Sequence, residues 1–174
     1  MRPSFKQLIG KSDLVIAEIG VDCGNNAYEN LTNLDISTYY LIDPYSLYMI
    51  GQGCNMTEEQ CVECEAVAQE KLKGFEDKIV WIKEKSEDAV YRFADNSIDL
   101  VYIDGNHRVE FVLKDLWFYY LKVKHGGILA GHDSNYVAVY NAVAYFGACF
   151  PDNFITFEKC EDRVGATDYW VYKP

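Results

Sequence analysis

Ten residues constrain the fold more than any other stretch: Ile98-Asp99-Leu100-Val101-Tyr102-Ile103-Asp104-Gly105-Asn106-His107. The residues around Asp99 are apolar and mostly β-branched or aromatic, which suits a strand buried on both faces of a parallel sheet. Asp104 falls where that strand ends, Gly105 lets the chain turn sharply away, and His107 follows. In open α/β sheets ligands sit outside the carboxyl ends of the strands. An acid and a histidine delivered there are therefore candidates for function, not solvated charges on a helix face.

The remaining chain supplies partners for such a strand. Residues 14–19 read as a first buried strand running into Gly20-Val21-Asp22-Cys23-Gly24, followed by a helix of about ten residues through Leu34. A second strand over 38–42 ends at Asp43-Pro44-Tyr45, and residues 46–57 read as a loop or lid. Thr57 with Gln60 three residues later forms a capping-box pattern for a helix to about Lys73. A third strand over 78–83 precedes a short helix over 86–93, with Ser86 as its cap. Apolar residues at 109, 112, 113, 116, 117, 120 and 121 predict a long helix after the central strand. Gly126-Gly127 is expected to separate that helix from a fifth strand over 128–131, which ends at His132-Asp133. After a helix over 136–147, strands over 154–159 and 168–172 follow each other directly and are expected to pair antiparallel at the sheet edge. Five β-α units and a terminal hairpin imply a mostly parallel, doubly wound α/β sheet with helices on both faces.

No repeat or linker divides the 174 residues, so a single domain over 1–174 is expected. The formal net charge of −11 repels phosphate backbones and argues against nucleic acid as partner. No stretch approaches the roughly 20 apolar residues of a membrane span. The first eleven residues lack an apolar signal core, so a cytoplasmic location without membrane partners is expected. Cysteines 23, 54, 61, 64, 149 and 160 then read as reduced thiols. The spacing C-x6-C-x2-C over 54–64 lacks a nearby fourth ligand and reads as structural. Trp117-Phe118-Tyr119-Tyr120 reads as helix packing on the sheet, and His125 as a favourable helix end.

Three groups carry candidate chemistry. Glu18-x-Gly20-x-x-x-Gly24 places glycines where backbone can approach a ligand, ahead of a helix with free N–H groups. Asp43, about 20 residues on at the end of the second strand, can accept two hydrogen bonds from ribose hydroxyls, or simply cap the turn before Pro44. Asp104, His107, His132 and Asp133 lie on neighbouring strand ends. Two adjacent carboxylates there share a proton or hold a cation, for which hard oxygen ligands favour magnesium over zinc. Either histidine can act as a base. Tyr45, Tyr48 and Met49 follow Asp43 and either line a pocket or cover an edge.

At these residues the chain resembles the class I S-adenosylmethionine-dependent methyltransferases, and within them the small methyltransferase 24 family. The resemblance covers nearly the whole chain. Glu18-Ile19-Gly20 with Gly24 is similar to the first motif, which cradles the methionine part of the cofactor. Asp43 matches the ribose-holding acid, and Ser86-Glu87-Asp88 the segment beside the adenine. The most specific match is Ile103-Asp104-Gly105-Asn106-His107, Asp115-Leu116, Gly126-Gly127 and His132-Asp133, against a family pattern of I-D-G-x-H, D-L, G-G and H-D. This chain departs from the first motif in having Asp22-Cys23 and Asn25-Asn26 where small residues are usual.

The resemblance implies a Rossmann-like sheet of seven strands in the order 3-2-1-4-5-7-6, the seventh antiparallel. It implies a methyltransferase acting on a small-molecule acceptor, most simply at oxygen. Glu18, Gly20, Gly24, Asp43, Ser86 and Asp104 would hold S-adenosylmethionine, and Asp104, His107 and His132 would be the catalytic residues. Related O-methyltransferases bind magnesium at acids matching Asp104 and Asp133, which makes these the implied metal ligands. Without the N-terminal helices that relatives use to cover the substrate, the acceptor site is open or completed by a partner subunit in a homodimer. The alternative is a non-catalytic S-adenosylmethionine-binding module of a larger assembly. A dehydrogenase is disfavoured because the first turn lacks Gly-x-Gly-x-x-Gly.

Overall fold

The computed structural model describes residues 1–46, 57–150, 154–161 and 165–174. Five strands, β1 (Leu14–Ile19), β2 (Ile36–Ile42), β3 (Ile79–Ile82), β4 (Ile98–Ile103) and β5 (Val123–Gly131), run parallel. The late hairpin of β6 (Thr156–Lys159) and β7 (Thr167–Tyr172) joins antiparallel, with β7 against β5. The order is β3-β2-β1-β4-β5-β7-β6, as the resemblance implied. Between the strands lie α1 (Pro3–Lys6), α2 (Asn25–Asn33), α3 (Glu58–Lys71), α4 (Ser86–Ala89), α5 (Val109–Lys122) and α6 (Val137–Ala148).

Strand pleating divides the core between two faces. Leu100 and Tyr102 of β4 pack with Phe5, Leu8, Ala27, Leu31, Ala68 and Leu72 beneath α1, α2 and α3. Val101 and Ile103 pack on the other face with Val112, Leu116, Tyr119, Val143 and Phe146 of α5 and α6. Ile98 shares that second face because the β4–β5 register shifts between Ile98 and Leu100. Asp99, in the shift, accepts from Val15 N–H at 2.8 Å and pairs with Lys124 at 2.8 Å, so a charge within a core strand keeps its partners.

Local signals place most of the elements. Thr57 Oγ1 accepts from Gln60 N–H while Gln60 Oε1 accepts from Thr57 N–H, completing the capping box. Four expectations need correction. Lys85, not Ser86, is the N-cap of α4, and no side chain caps it; after one turn a 3₁₀ turn, Val90–Arg92, takes over. Strand β5 begins at Val123 and incorporates Gly126-Gly127, because Gly126 N–H and Lys173 N–H exchange hydrogen bonds with Lys173 and Gly127 carbonyls at 2.7 and 2.9 Å. His125 therefore lies within a strand, its Nδ1 against the Pro174 carbonyl, and not at a helix end. Trp117 packs edge-on against Phe146 of α6, and Tyr119 and Tyr120 are the buried members of the aromatic run.

Cys23, Cys64, Cys149 and Cys160 are free thiols. Cys54, Tyr48, Met49 and nearly all of the expected lid lie outside the described residues. Among the described residues no helix is long and apolar enough to cross a membrane.

Candidate active site

The parallel ladder extends one residue beyond four strands, and this extension builds the site. Gly20 N–H donates to Ile42 O at 2.9 Å, Asp43 N–H to Ile82 O at 3.2 Å, Asp104 N–H to Ile19 O at 2.8 Å and His132 N–H to Ile103 O at 3.1 Å. Asp43, Gly20, Asp104 and His132 thus stand in a row on the carboxyl edge. The row spans the point where β1 has β2 on one side and β4 on the other, the topological switch point at which open α/β sheets bind ligands.

The β1–α2 turn carries one half of the site. Gly20 has φ of 85°, and a Cβ there would meet the Asp104 carbonyl oxygen at 2.2 Å. Gly24 is similarly close to α3, with Ala68 Cβ 3.2 Å from where its own Cβ would stand. These glycines let the chain fold tightly on itself and hold the turn beside the β4 end. Helix α2 opens with no side-chain cap, leaving its first N–H groups available to an anion. Asp43 braces the turn from the next strand. Its Oδ2 accepts from Val21 N–H at 2.9 Å and Asp22 N–H at 3.2 Å, and its Oδ1 accepts from Tyr45 N–H at 2.9 Å. Burial raises the carboxyl pKa against these three bonds. Tyr45 is buried and donates to Asp22 O, so it supports the turn.

Glu18 is fully buried. Its carboxylate accepts from Tyr39 Oη at 2.6 Å and Asn26 Nδ2 at 3.1 Å, tying β1 to β2 and to the first turn of α2. Burial pushes its pKa up to about 7. Ser86 sits one element further along. Its side chain is hydrogen-bonded to buried Asp115, and its carbonyl accepts from Tyr119 Oη at 2.9 Å. Asp115 is pushed by burial up to about 7.

The other half gathers all four residues expected from the β4 and β5 ends. His107 Nε2 lies 2.9 Å from Asp133 Oδ2 and 4.0 Å from Asp104 Oδ1. His132 Nδ1 lies 3.1 Å from Asp133 Oδ1 and 3.7 Å from Asp104 Oδ1. Neither His107 Nε2 nor His132 Nδ1 is aligned for a hydrogen bond at these distances. The two acids differ sharply. Burial pushes Asp104 up to about 6. Burial also opposes ionisation of Asp133, but the two imidazoles outweigh it and hold that carboxyl well below the usual range. Asp133 in turn raises the pKa of His107. The two histidines also differ, since the His107 side chain is 27% exposed and that of His132 only 1%.

Two participants were not legible in the sequence. Arg2 is buried ahead of α1, with Nη2 3.9 Å from Asp104 Oδ2 and the guanidinium over the Tyr102 ring. Ser4 holds this segment in place by donating to buried Asp168 at 2.8 Å. A Pro at N1 was an available signal for the short helix, but nothing local directs Arg2 to Asp104. Arg2, the N-cap of the four-residue α1, thus brings a cation to the site. Tyr136 is the second, its ring centroid 5.5 Å from that of His107.

The donor set also bears on the metal. Asp104, His107 and Asp133 offer atoms within 4.8 Å of one another, so a cation fits by distance. One imidazole beside two carboxylates makes the donors mixed nitrogen and oxygen, so the set is not purely hard oxygen. Asp104 and Asp133, the two acids expected to hold a metal, are both in this group, and His107 joins them. For S-adenosylmethionine the uncapped α2, the Asp43 carboxylate and the Ser86 segment offer an anion site, hydroxyl acceptors and a flank in the expected order along the edge.

The comparisons agree with this architecture. A family profile described as a methyltransferase domain matches residues 17–134. No curated protein is similar to the chain at a significant level. Among solved structures, precorrin-6y C5,15-methyltransferase from Geobacter metallireducens has a TM-score of 0.71 at 11% identity, over 98% of this chain and 86% of that one. A candidate methyltransferase from Streptococcus mutans in complex with SAH has a TM-score of 0.69 at 15% identity, over 98% and 96%. An rRNA methylase from Streptococcus thermophilus has a TM-score of 0.66 at 12% identity, over 98% and 92%. Likeness at these identities speaks for the fold, and the profile, covering more than half the chain, speaks for the family. The chain belongs to the methyltransferase-domain family and is an S-adenosylmethionine-dependent methyltransferase with the class I fold.

Proposed function

We propose that the protein transfers the methyl group of S-adenosylmethionine to a hydroxyl of a small-molecule acceptor. The observation that carries this reading is the cluster of Asp104, His107, His132 and Asp133 one strand away from the glycine turn, with His107 partly accessible beside Tyr136. Such a cluster can take a proton from a weakly acidic group, which an oxygen acceptor requires.

In this reading the α2 N-terminus binds the cofactor carboxylate, and Asp43 accepts from the ribose hydroxyls with its remaining lone pairs. Gly20 and Gly24 set the turn, Glu18 holds it through Asn26, and Ser86 flanks the adenine. Bound S-adenosylmethionine supplies an electrophilic methyl on a sulfonium. Asp133 raises the basicity of His107, whose neutral imidazole accepts the acceptor's hydroxyl proton. The acceptor oxygen bonds to the methyl carbon as the carbon–sulfur bond breaks, giving S-adenosylhomocysteine. Much of the rate comes from holding the reactants in line. Asp104 and Asp133 shape the acceptor side and would hold a divalent metal, which would acidify and orient the hydroxyl. The net charge of −11 opposes an RNA acceptor, although fold neighbours include rRNA methylases.

A screen of hydroxyl, amine and thiol acceptors with methyl-labelled cofactor tests the proposal. Label in a hydroxyl compound, lost in His107→Gln, supports it; label only in amines or in RNA overturns it.

A further inference from the structure

Away from the acid–histidine cluster, the structure brings together Asp22, Cys23 and Cys64. Cys64 Sγ lies 3.2 Å from Asp22 Oδ1 and is hydrogen-bonded to the Cys23 thiol. One oxygen and two sulfurs stand within 4.8 Å of one another, and all three side chains are at least partly accessible. The residues come from two elements, Asp22 and Cys23 from the β1–α2 turn and Cys64 from α3. Their approach is fixed by the surrounding packing. Lys71 of α3 donates to Cys23 O at 2.9 Å and also contacts Asn25 Oδ1. Gly24 lies against Ala68 and Leu72 of the same helix.

We propose that Asp22, Cys23 and Cys64 form a binding site for a thiophilic divalent metal ion of the zinc class. Two sulfurs and one carboxylate oxygen form the donor set of a tetrahedral zinc site whose fourth position is open to water. The sulfurs select against magnesium and calcium, which require oxygen. Without a cation, burial, the Cys23 thiol and the Asp22 carboxylate all disfavour the Cys64 thiolate. A divalent cation reverses that balance, so binding releases protons. Because the ligands bridge the turn and α3, an ion here locks the turn that the cofactor is proposed to use. The site does not depend on the identity of the methyl acceptor.

Cobalt(II) added to the reduced protein reads the site directly, because thiolate ligands give a sulfur-to-cobalt charge-transfer band that oxygen and nitrogen ligands do not. The Asp104 cluster holds no sulfur and is silent in that band. One equivalent should produce the band, and excess zinc should remove it. Cys23→Ser and Cys64→Ser should each weaken binding by more than the roughly 10–100-fold that outer-shell partners contribute, and Asp22→Asn should weaken it while leaving the band. Cys61→Ser and Cys160→Ser should keep it, the latter excluding the buried His132–Cys160–Asp168 group. Circular dichroism of the metal-free variants shows whether each one folds. Absence of the band in folded wild type, or its survival at wild-type intensity and affinity in folded Cys23→Ser and Cys64→Ser, overturns the proposal. So does a pair that only oxidises to a disulfide and shows no cobalt affinity when reduced.

Discussion

Arg2 Nη2 stands 3.9 Å from Asp104 Oδ2, so a buried guanidinium from the first residues compensates the acid at the centre of the site. Burial disfavours the Arg2 charge, but Tyr102, Asp104 and Asp168 outweigh it and hold the guanidinium charged. Breaking a buried pair leaves the other charge uncompensated, so Arg2→Met should cost about 2–5 kcal/mol. Arg2→Met with Asp104→Asn should cost less than the sum of the two singles. Urea unfolding of the four proteins gives the cycle; strict additivity would show that the two charges do not interact.

Gly20 tests the close approach of β1 to the β4 end. Gly20→Ala places a methyl 2.2 Å from the Asp104 carbonyl oxygen at φ of 85°, and should destabilise by more than about 3 kcal/mol. Gly74 has φ of 92° but nothing within 4 Å, so Gly74→Ala should cost only about 1 kcal/mol. Equal thermal shifts for the two variants would contradict the packing described.

Asp115 should leave a signature in the dependence of stability on pH. Its carboxyl goes from 3.8 in the unfolded chain to about 7 in the folded protein, so the folded state holds a proton that the unfolded state loses first. Stability from this group is present below about pH 4 and is lost as pH rises through about 7. Glu18, pushed up to about 7, acts in the same direction. Asp115→Asn removes the titration and should reduce the stability lost between pH 5 and 8 by about 1–3 kcal/mol. Denaturation at both pH values checks this, and an unchanged slope would contradict it.

The histidines should separate by function. His107 is partly accessible beside Tyr136, whereas His132 is buried between the two acids. His107→Gln should lower kcat by about 10²–10⁴-fold, the usual worth of a general base, with little change in stability. His132→Gln should act mainly on stability. Thermal unfolding beside initial rates distinguishes them, and full activity in His107→Gln would remove the base assignment.

The parts legible in the sequence share a cause. Asp43, Asp104, His132 and Asp133 follow buried strands directly, so strand ends alone place them on one edge. The capping box of α3 is equally local. Arg2 beside Asp104, Asp115 beside Ser86 and Cys64 beside Asp22 depend on packing between elements far apart in the chain, which no local pattern records. Gly126-Gly127 misled for a related reason. As a local signal it reads as a break, but pairing with Lys173 keeps it in β5. Glu18 shows both effects, since its position is legible while its inward bonds to Tyr39 and Asn26 are not.

The central claim is that the carboxyl edge from Asp43 to Asp104 holds the cofactor, and calorimetric titration with S-adenosylhomocysteine tests it most directly. Wild type should bind one equivalent with micromolar affinity. Asp43→Ala removes charged hydrogen bonds to ribose and turn, and should weaken binding at least about 100-fold while the fold persists. No binding by folded wild type, or equal affinity in Asp43→Ala, would contradict the account.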